Sequence, residues 1–368
     1  MSEFAGKLNE ILNYGALNLA IAIGYKNRIF DILEDLNKPV TIKEIASASK
    51  LNARYLKEWL GVMVSGKIIE ISTNPNEEDI YLLPSEHALY LTRKSESNNR
   101  GVYTQELPLL TACAMESVNE GFKTGEGVPF SKYPDFQQFM AETSDAKHKK
   151  VLINDFLPSV ENGQLLNCLH EGIKVCDLGC GQGVALNLMA ETFPNSIFTG
   201  IDNHEAAIIE ARKAAQEMNL SNANYLVLDA AKIIQKEEFF GLFNYICAFD
   251  AIHDQSHPLE VLKGIRAMLV PGGMFSMVDI KAGSNQTDNI DHPLAPFLYA
   301  VSLMHCMPVG LNNNGTGLGM MWGQEKAESL LKKAGFEQVE IIEMERDPFN
   351  LHYFCKIPSF LSVEFTVP

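Results

Sequence analysis

The sequence lacks the marks of an exported, disulfide-bonded or membrane-spanning protein. Its 368 residues include seven cysteines, an odd number without a C-x-x-C pair, so a disulfide framework is not indicated. No run of eighteen apolar residues occurs, and residues 1–10 lack the apolar core of a secretory signal. We therefore expect a cytoplasmic protein with reduced thiols and no membrane partner.

Positive charge is also scarce. Lys and Arg number 30 against 46 Asp and Glu, which gives a net charge of −16. A surface of this sign disfavours nucleic acid as a partner. The hydrophobic fraction of 46% is ordinary for a folded protein, and the length exceeds the usual size of one core. We predict two globular domains without nucleic-acid binding.

The most informative feature that is present is the run Val-Cys-Asp-Leu-Gly-Cys-Gly-Gln-Gly at residues 175–183. A short apolar strand carries Asp177 near its end, and glycines follow at alternate positions. A dinucleotide site would read G-x-G-x-x-G and hold a pyrophosphate at a helix N-terminus. The spacing here is G-x-G-x-G, and a carboxylate in this place would repel a pyrophosphate. It suits a cationic ligand, such as the amino-acid end of S-adenosylmethionine.

Apolar strands alternate with amphipathic helices through the rest of this region, which predicts a parallel sheet covered on both faces. The predicted strands are residues 195–202, 225–228, 243–249, 274–280, 338–344 and 351–355, with helices at 206–218, 258–269 and 324–334 and a sharp turn at 271–273. We predict an α/β fold with a Rossmann-like sheet that is mostly parallel and has an antiparallel last strand.

Two further acidic residues end successive strands. Asp202 follows Gly183 by nineteen residues, where a nucleotide-binding unit places the carboxylate that accepts ribose hydroxyls. Asp229 ends the next strand. Capping of helices is the alternative explanation for such residues. Three of them at successive strand ends, the first beside the glycines, favour a bound cofactor over capping alone.

The N-terminal region predicts a winged helix-turn-helix. Its pattern is a helix at 17–36, a helix capped by Thr41 and Glu44, a helix at 51–64 and a ribbon at 68–71 and 80–83. DNA reading requires basic side chains on the second helix and a basic face. The wing instead carries acidic residues at Glu77, Glu78 and Asp79. Dimerisation and closure of a pocket are therefore favoured over DNA binding.

This combination resembles class I S-adenosylmethionine-dependent methyltransferases with a winged-helix domain, in particular the plant-type small-molecule O-methyltransferases. The segments 128–133, 299–306 and 317–323 resemble a largely uncharacterised group of that architecture from bacteria and animals. The resemblance covers residues 15–357. It divides the chain into a winged-helix domain at 1–100, a helical connector at 101–163 and a methyltransferase domain at 164–368, with a lid insertion at 283–322.

The resemblance implies a cofactor site, a catalytic histidine and a homodimer. The implied S-adenosylmethionine site comprises Asp177, Gly179, Cys180, Gly181, Asp202, Asn203, Asp229, Ala230 and Phe249. The plant-type enzymes have a His-Asp-Trp sequence whose histidine removes a proton from the substrate hydroxyl. His253 and Asp254 match it, and Gln255 replaces the tryptophan. An ordinary helix-start role for His253 stays open, and no metal is predicted from His253 and His257 because a third ligand is not evident.

The main hypothesis is methyl transfer to an oxygen of a small molecule. Imidazole, of pKa about 6.5, would remove a phenolic proton of pKa about 10 at a cost of roughly 5 kcal/mol, and an aliphatic alcohol would be much harder. Phenols or more acidic hydroxyls are therefore the favoured acceptors. The alternative is a catalytically inactive protein of this fold that serves as a binding or regulatory module through its winged helix.

Overall fold

The computed structural model describes residues 2–73, 78–134 and 136–359. The chain divides into two compact units, Met1–Ala112 and Cys113–Pro368. The division falls inside a helix, so the boundaries expected after residues 100 and 163 stay a prediction. Glu77, one of the acidic residues assigned to the wing, lies outside the described residues.

The first unit is a winged helix-turn-helix. Its elements are α1 (Glu3–Lys26), α2 (Ile29–Leu36), β1 (Val40–Thr41), α3 (Ile42–Ser49), α4 (Ala53–Ser65), β2 (Glu70–Ser72), β3 (Ile80–Leu82) and α5 (Ser85–Leu91). The strands form an antiparallel sheet in the order β1-β3-β2. The helix expected at 17–36 is two helices, because Arg28 adopts a left-handed φ of 58° and ends the regular backbone.

The predicted cap of α3 is present. The Thr41 hydroxyl accepts a hydrogen bond from the Glu44 amide at 3.3 Å, and the Glu44 carboxylate accepts one from the Thr41 amide at 2.8 Å. This reciprocal pairing fixes where α3 begins. Trp59 on α4 donates its indole N–H to the Ala20 carbonyl of α1 at 2.8 Å, which ties these helices into one core.

The helix α6 (Glu106–Thr124) spans the division between the units. The helices that follow are α7 (Phe136–Val151), α8 (Leu157–Ser159), α9 (Gln164–Glu171), α10 (Val184–Thr192), α11 (Glu205–Glu217), α12 (Pro258–Met268), α13 (Ala295–Val301), α14 (Met307–Leu311) and α15 (Gln324–Lys333). The strands are β4 (Lys174–Leu178), β5 (Ile197–Asp202), β6 (Ala223–Val227), β7 (Phe243–Phe249), β8 (Leu269–Ile280), β9 (Val339–Glu343) and β10 (Asn350–Lys356). No helix among the described residues combines the length and apolarity needed to cross a bilayer.

The sheet has seven strands in the order β6-β5-β4-β7-β8-β10-β9. Pairings from β6 to β8 are parallel, whereas β10 runs antiparallel to both β8 and β9. The predicted fold class is confirmed. The turn expected at 271–273 lies inside β8 as a bulge, because Leu269 pairs with Phe243 and Met274 with Tyr245.

Both faces of the sheet are covered by apolar helices. One core includes Val261, Ile265 and Leu331 of α12 and α15, and the other includes Leu186, Met189 and Ile208 of α10 and α11. Burial on both faces explains why β4 and β7 are nearly continuous apolar runs. The carboxyl ends of β4 and β7 flank the point where strand order reverses, which is where such sheets bind ligands.

Candidate functional site

The glycine turn, residues 179–183, is held against the neighbouring strand β5. The amides of Gly179 and Cys180 both donate to the Ile201 carbonyl, at 2.8 and 3.2 Å. Gly183 begins α10 with a φ of 74°, and a Cβ there would lie 2.5 Å from the Tyr225 hydroxyl oxygen. A left-handed backbone packed against an aromatic ring requires glycine at this position.

The carboxylates of Asp202 and Asp229 both bind the main chain. Asp202 accepts from the amides of Gly181 at 2.9 Å and His204 at 2.8 Å, so it orders the glycine turn from the next strand. Asp229 accepts from the Ala231 amide at 3.1 Å and caps the short helix that follows. Asp229 therefore serves as a helix cap, as the alternative explanation expected. Both side chains also line the cavity described below.

Asp177 has a different environment. Its side chain is buried in β4, and the Cys247 thiol donates to it weakly at 3.7 Å. No ion pair to it occurs among the described residues. Burial, with a further contribution from the charge of Asp202, raises the pKa of Asp177 from 3.8 to about 7. An ionised carboxylate at this place is poorly stabilised by the protein alone and favours a positively charged ligand.

A cavity of about 450 Å³ opens at this edge of the sheet. All the predicted cofactor residues line it except Ala230, which is buried beside the lining residue Ala231. The acidic residues of the lining are Asp177, Asp202, Asp229, Asp250 and Asp254. Lys147 is the one lysine in the described lining, and it is paired with Asp250 at 3.3 Å and with Asp347 at 2.6 Å. The cavity is therefore suited to a cationic ligand.

Lys147 and its neighbour His148 were not anticipated from the sequence. A basic pair within α7 is indistinguishable from a solvated helix face until the helix is packed against the sheet. Burial opposes the charge of Lys147, but Asp250 and Asp347 outweigh it and raise its pKa. Burial lowers the pKa of His148 to about 3, so its ring is neutral where it packs on Phe249 at a centroid distance of 5.1 Å.

His253, the predicted catalytic residue, is buried and is not among the residues that line the cavity. Its Nδ1 lies 2.7 Å from Asp279 Oδ1, and its Nε2 lies 3.4 Å from Asp254 Oδ1. Burial by itself would lower the pKa of His253, but these two carboxylates outweigh burial and raise it well above its usual value. The indole of Trp322 donates to the same Asp279 oxygen at 3.2 Å. The role of His253 as proton acceptor stays a prediction.

The lid, residues 283–322, packs against Val128, Tyr133 and Phe136 of the same unit. The Val128 amide donates to the Pro308 carbonyl at 2.9 Å, and the Tyr133 hydroxyl donates to the Met304 carbonyl at 2.7 Å. Between α13 and α14 the chain forms a π-helical turn, Ser302–Cys306, a geometry found often at functional sites. It places His305 in the cavity wall, with its ring against Phe136 at a centroid distance of 4.4 Å.

Two protein families match parts of this chain. Residues 169–335 match the family described as methyltransferase domain, and residues 15–93 match the family described as Rv2258c-like winged HTH domain. A ubiquinone biosynthesis O-methyltransferase from Pseudomonas aeruginosa is 26% identical over 53% of this chain and 77% of its own length. An uncharacterised Rickettsia prowazekii protein is 30% identical over 33% of this chain, and the alignment spans 48% of that protein. A trans-aconitate 2-methyltransferase from Variovorax paradoxus is 28% identical over 36% of this chain, and the alignment covers 46% of that protein. The chain thus spans about half the length of several curated relatives.

Solved structures extend the likeness over the whole chain. Human N-acetylserotonin methyltransferase in complex with SAM superposes with a TM-score of 0.70 at 15% identity, covering 97% of this chain and 99% of that one. The mitomycin 7-O-methyltransferase MmcR gives 0.65 at 15% identity, with coverage of 96% and 97%. At this identity the likeness establishes the shared fold.

Proposed function

We propose that this chain, which joins a winged helix-turn-helix domain to a class I methyltransferase domain, transfers a methyl group from S-adenosylmethionine to an oxygen of a small molecule. The observation that carries the proposal is the acidic cavity at the carboxyl ends of β4 and β5, beside the glycine turn. Five aspartates line it, and the one lysine there is already neutralised by two carboxylates. This charge fits a cationic cofactor and disfavours a phosphate compound.

The residues present fit the cofactor. Asp177 would face its ammonium group, because this carboxylate lacks an ion-pair partner among the described residues and its pKa is raised by burial. The first amides of α10, at Val184 and Ala185 in the cavity lining, would contact the amino-acid carboxylate. Asp202 and Asn203 would meet the ribose, and Asp229 and Phe249 the adenine. When bound, the cofactor supplies a methyl group on a sulfonium, open to in-line attack.

The acceptor is proposed to be a phenol or a similarly acidic hydroxyl compound. Aromatic rings of Phe130 and Phe136 line the same cavity. Phe130 packs edge-on between His204, at a centroid distance of 5.6 Å, and His305, at 5.8 Å. His204 follows the predicted ribose-contacting residues, so this aromatic wall adjoins the cofactor site. Flat aromatic acceptors would stack there.

Calorimetry with S-adenosylmethionine and S-adenosylhomocysteine tests the cofactor assignment directly. We expect micromolar binding to the full chain and a tenfold to hundredfold loss in Asp177→Asn, the range set by removing a charged partner. Asp155→Asn is the matched control, because Asp155 pairs with Arg346 and does not line the cavity. Failure to bind either compound at millimolar concentration would reject the proposed function.

Methyl transfer is then measured with labelled cofactor against a panel of phenols and a metabolite extract. Transfer to at least one small molecule is the expected result. Cofactor binding without transfer to any component of the panel or the extract favours the alternative, a binding or regulatory module that keeps the cofactor fold.

We further propose a homodimer formed through α1. One stripe of this helix exposes large apolar side chains at helical spacing, namely Phe4, Leu8, Ile11, Leu12, Leu19 and Ile23. A contiguous exposed apolar face of this kind marks an interaction site. We expect light scattering to give the mass of a dimer and Leu12→Glu to give a monomer. A monomeric native chain would refute the proposal.

Nucleic acid is not a proposed partner, and the protein is proposed to act in the cytoplasm. Arg54 of α4 is paired with Glu58, and Lys43 of α3 is paired with Glu78. These two exposed cations thus already have acidic partners, which weakens attraction to phosphates. We expect no shift of duplex DNA at physiological salt.

A further inference from the structure

We propose that the lid is pinned to the end of β7 by a zinc ion held by His253, Asp254, His305 and Cys306. The sequence did not predict a metal site, because the pair of possible ligands considered there was His253 and His257 and a third ligand was not evident. The structure instead brings two residues of the lid, 283–322, against the loop that follows β7. This proposal does not depend on the proposed methyl transfer.

The ligand atoms are grouped as a metal site requires. A ring nitrogen of His253, Cys306 Sγ and a carboxylate oxygen of Asp254 all lie within 4.8 Å of one another. His305 adds its Nδ1, which lies 3.6 Å from Cys306 Sγ and 3.9 Å from the second oxygen of Asp254. These four side chains provide the nitrogen, sulfur and oxygen ligands that zinc takes in proteins.

Two pairs of these atoms have separations that agree with tetrahedral coordination. Zinc bonds of about 2.0 to 2.3 Å place neighbouring ligand atoms about 3.3 to 3.8 Å apart in a tetrahedron. His253 Nε2 and Asp254 Oδ1 are 3.4 Å apart, and His305 Nδ1 and Cys306 Sγ are 3.6 Å apart. The His253–Asp254 pair is too long for a good hydrogen bond, the His305–Cys306 separation also fits a sulfur hydrogen bond, and both have the length of a tetrahedral edge.

Polar atoms within the cluster are left without partners. Asp254 Oδ1 is buried and has no hydrogen-bond partner. His253 Nε2, 3.4 Å away, meets this oxygen with a positive charge only while the ring is protonated, and without a cation a buried carboxylate oxygen is costly. A zinc ion between His253 and Asp254 would satisfy this oxygen and would be the natural acceptor for the lone pair of the imidazole nitrogen.

The outer contacts are those that orient a metal-binding histidine. His253 Nδ1 lies 2.7 Å from Asp279 Oδ1, so the ring can donate its Nδ1–H there and direct its Nε2 at the cluster. Zinc-bound histidines commonly carry such a carboxylate on their second nitrogen. Asp279 is itself fixed by Trp322, which donates its indole N–H from the end of the lid at 3.2 Å.

With His305 added to the three grouped residues, the proposed site is closed by four protein ligands. Sites of this kind stabilise a fold and do not hold a reactive water. The ion would join the π-helical turn Ser302–Cys306 to residues 253–254 and so fix the lid over the cavity that Asp254 and His305 line. Coordination requires the thiolate of Cys306, so zinc binding releases a proton and weakens as the pH falls.

Cobalt titration of the untagged, full-length protein tests the site without any variant. One equivalent of Co²⁺ is expected to give the visible bands of tetrahedral cobalt and a thiolate charge-transfer band in the near ultraviolet, both abolished by one equivalent of Zn²⁺. Elemental analysis of the protein after zinc loading and dialysis is expected to give one zinc per chain. Absence of the thiolate band, or zinc that dialyses away, would overturn the proposal.

Variants then assign the ligands. Cys306→Ser and Asp254→Asn are expected to weaken zinc binding at least hundredfold, and Asp279→Asn tenfold to hundredfold, as for other outer-contact residues. Cys168→Ser is the matched control, because this partly exposed thiol lies on α9 outside the cluster. Equal loss in Cys168→Ser and Cys306→Ser would refute the assignment. Circular dichroism checks that each variant is folded. If a variant does not fold, the cobalt spectrum of the wild-type protein decides whether the zinc site exists.

Discussion

Replacing Asp177 with asparagine should stabilise the ligand-free protein while weakening cofactor binding. The side chain is 2% exposed, and its nearest donor is the Cys247 thiol at 3.7 Å. The structure therefore gives this carboxylate little compensation for the water it loses on folding. Asparagine has nearly the same shape and no charge, so the substitution removes the penalty and keeps the packing.

The magnitude follows from the pKa of Asp177, which burial raises from 3.8 to about 7. Below pH 3.8 the carboxyl is protonated in both the folded and the unfolded chain, and it costs nothing. Between these two values the unfolded chain loses its proton first, so stability falls as the pH rises. Above pH 7 the full penalty of about 4 kcal/mol is present, at about 1.4 kcal/mol for each pKa unit.

Thermal unfolding of the ligand-free wild type and Asp177→Asn between pH 5 and 8 measures the effect. The advantage of the variant should grow by about 2 to 3 kcal/mol over this range, which corresponds to a rise of roughly 5 °C or more in relative Tm for a unit of this size. A variant whose stability relative to wild type does not change with pH would refute the reasoning, because the carboxylate would then be well compensated in the folded protein.

The same logic applies to the wild type with its ligand. A cation that pairs with Asp177 stabilises the ionised form, so its binding should release protons near neutral pH, where the free carboxyl is partly protonated. Calorimetry in buffers of different ionisation enthalpy detects this release. The signal should disappear in Asp177→Asn.

Other substitutions probe the glycine turn and the first unit. Gly183→Ala should cost about 2 to 4 kcal/mol, because it combines a left-handed backbone with a Cβ placed 2.5 Å from the Tyr225 hydroxyl oxygen. Gly181→Ala has the same backbone strain but open space around its Cβ, so denaturant unfolding should show a loss of about 1 kcal/mol; cofactor affinity should also fall, since Gly181 lines the cavity. Thr41→Ala should remove about 1 kcal/mol by breaking the capping box with Glu44, measured by chemical unfolding and unchanged between low and high salt.

The parts of the fold that were predictable depend on signals local in the sequence. Strand and helix periodicity, the glycine spacing and the Thr41–Glu44 cap each depend on residues within a few positions of one another. The mostly parallel sheet followed from the alternation of apolar strands with amphipathic helices. The two-helix form of 17–36 was missed because a single left-handed residue, Arg28, carries no sequence signal of its own.

The environment of the site depends on contacts that join distant parts of the chain. His253 pairs with Asp279, which is 26 positions away, and the lid brings Cys306 beside Asp254. Lys147 meets Asp347 across 200 residues. A motif identifies which residue reaches the sheet edge, but the protonation of that residue depends on partners that only the tertiary structure supplies.

This distinction bears on the role of His253. A histidine that bridges two carboxylates, with its pKa raised well above the usual value, holds a proton at neutral pH and cannot accept another. It becomes a base only if it loses its carboxylate partners or if the pH exceeds that raised value. A zinc ion on Nε2 would exclude the proton altogether. A pH–rate profile for an identified acceptor therefore separates the cases. Activity that rises with an alkaline pKa and is lost in His253→Gln supports His253 as the proton acceptor. Activity that does not change with pH above neutral requires the proton of the acceptor hydroxyl to leave by another route.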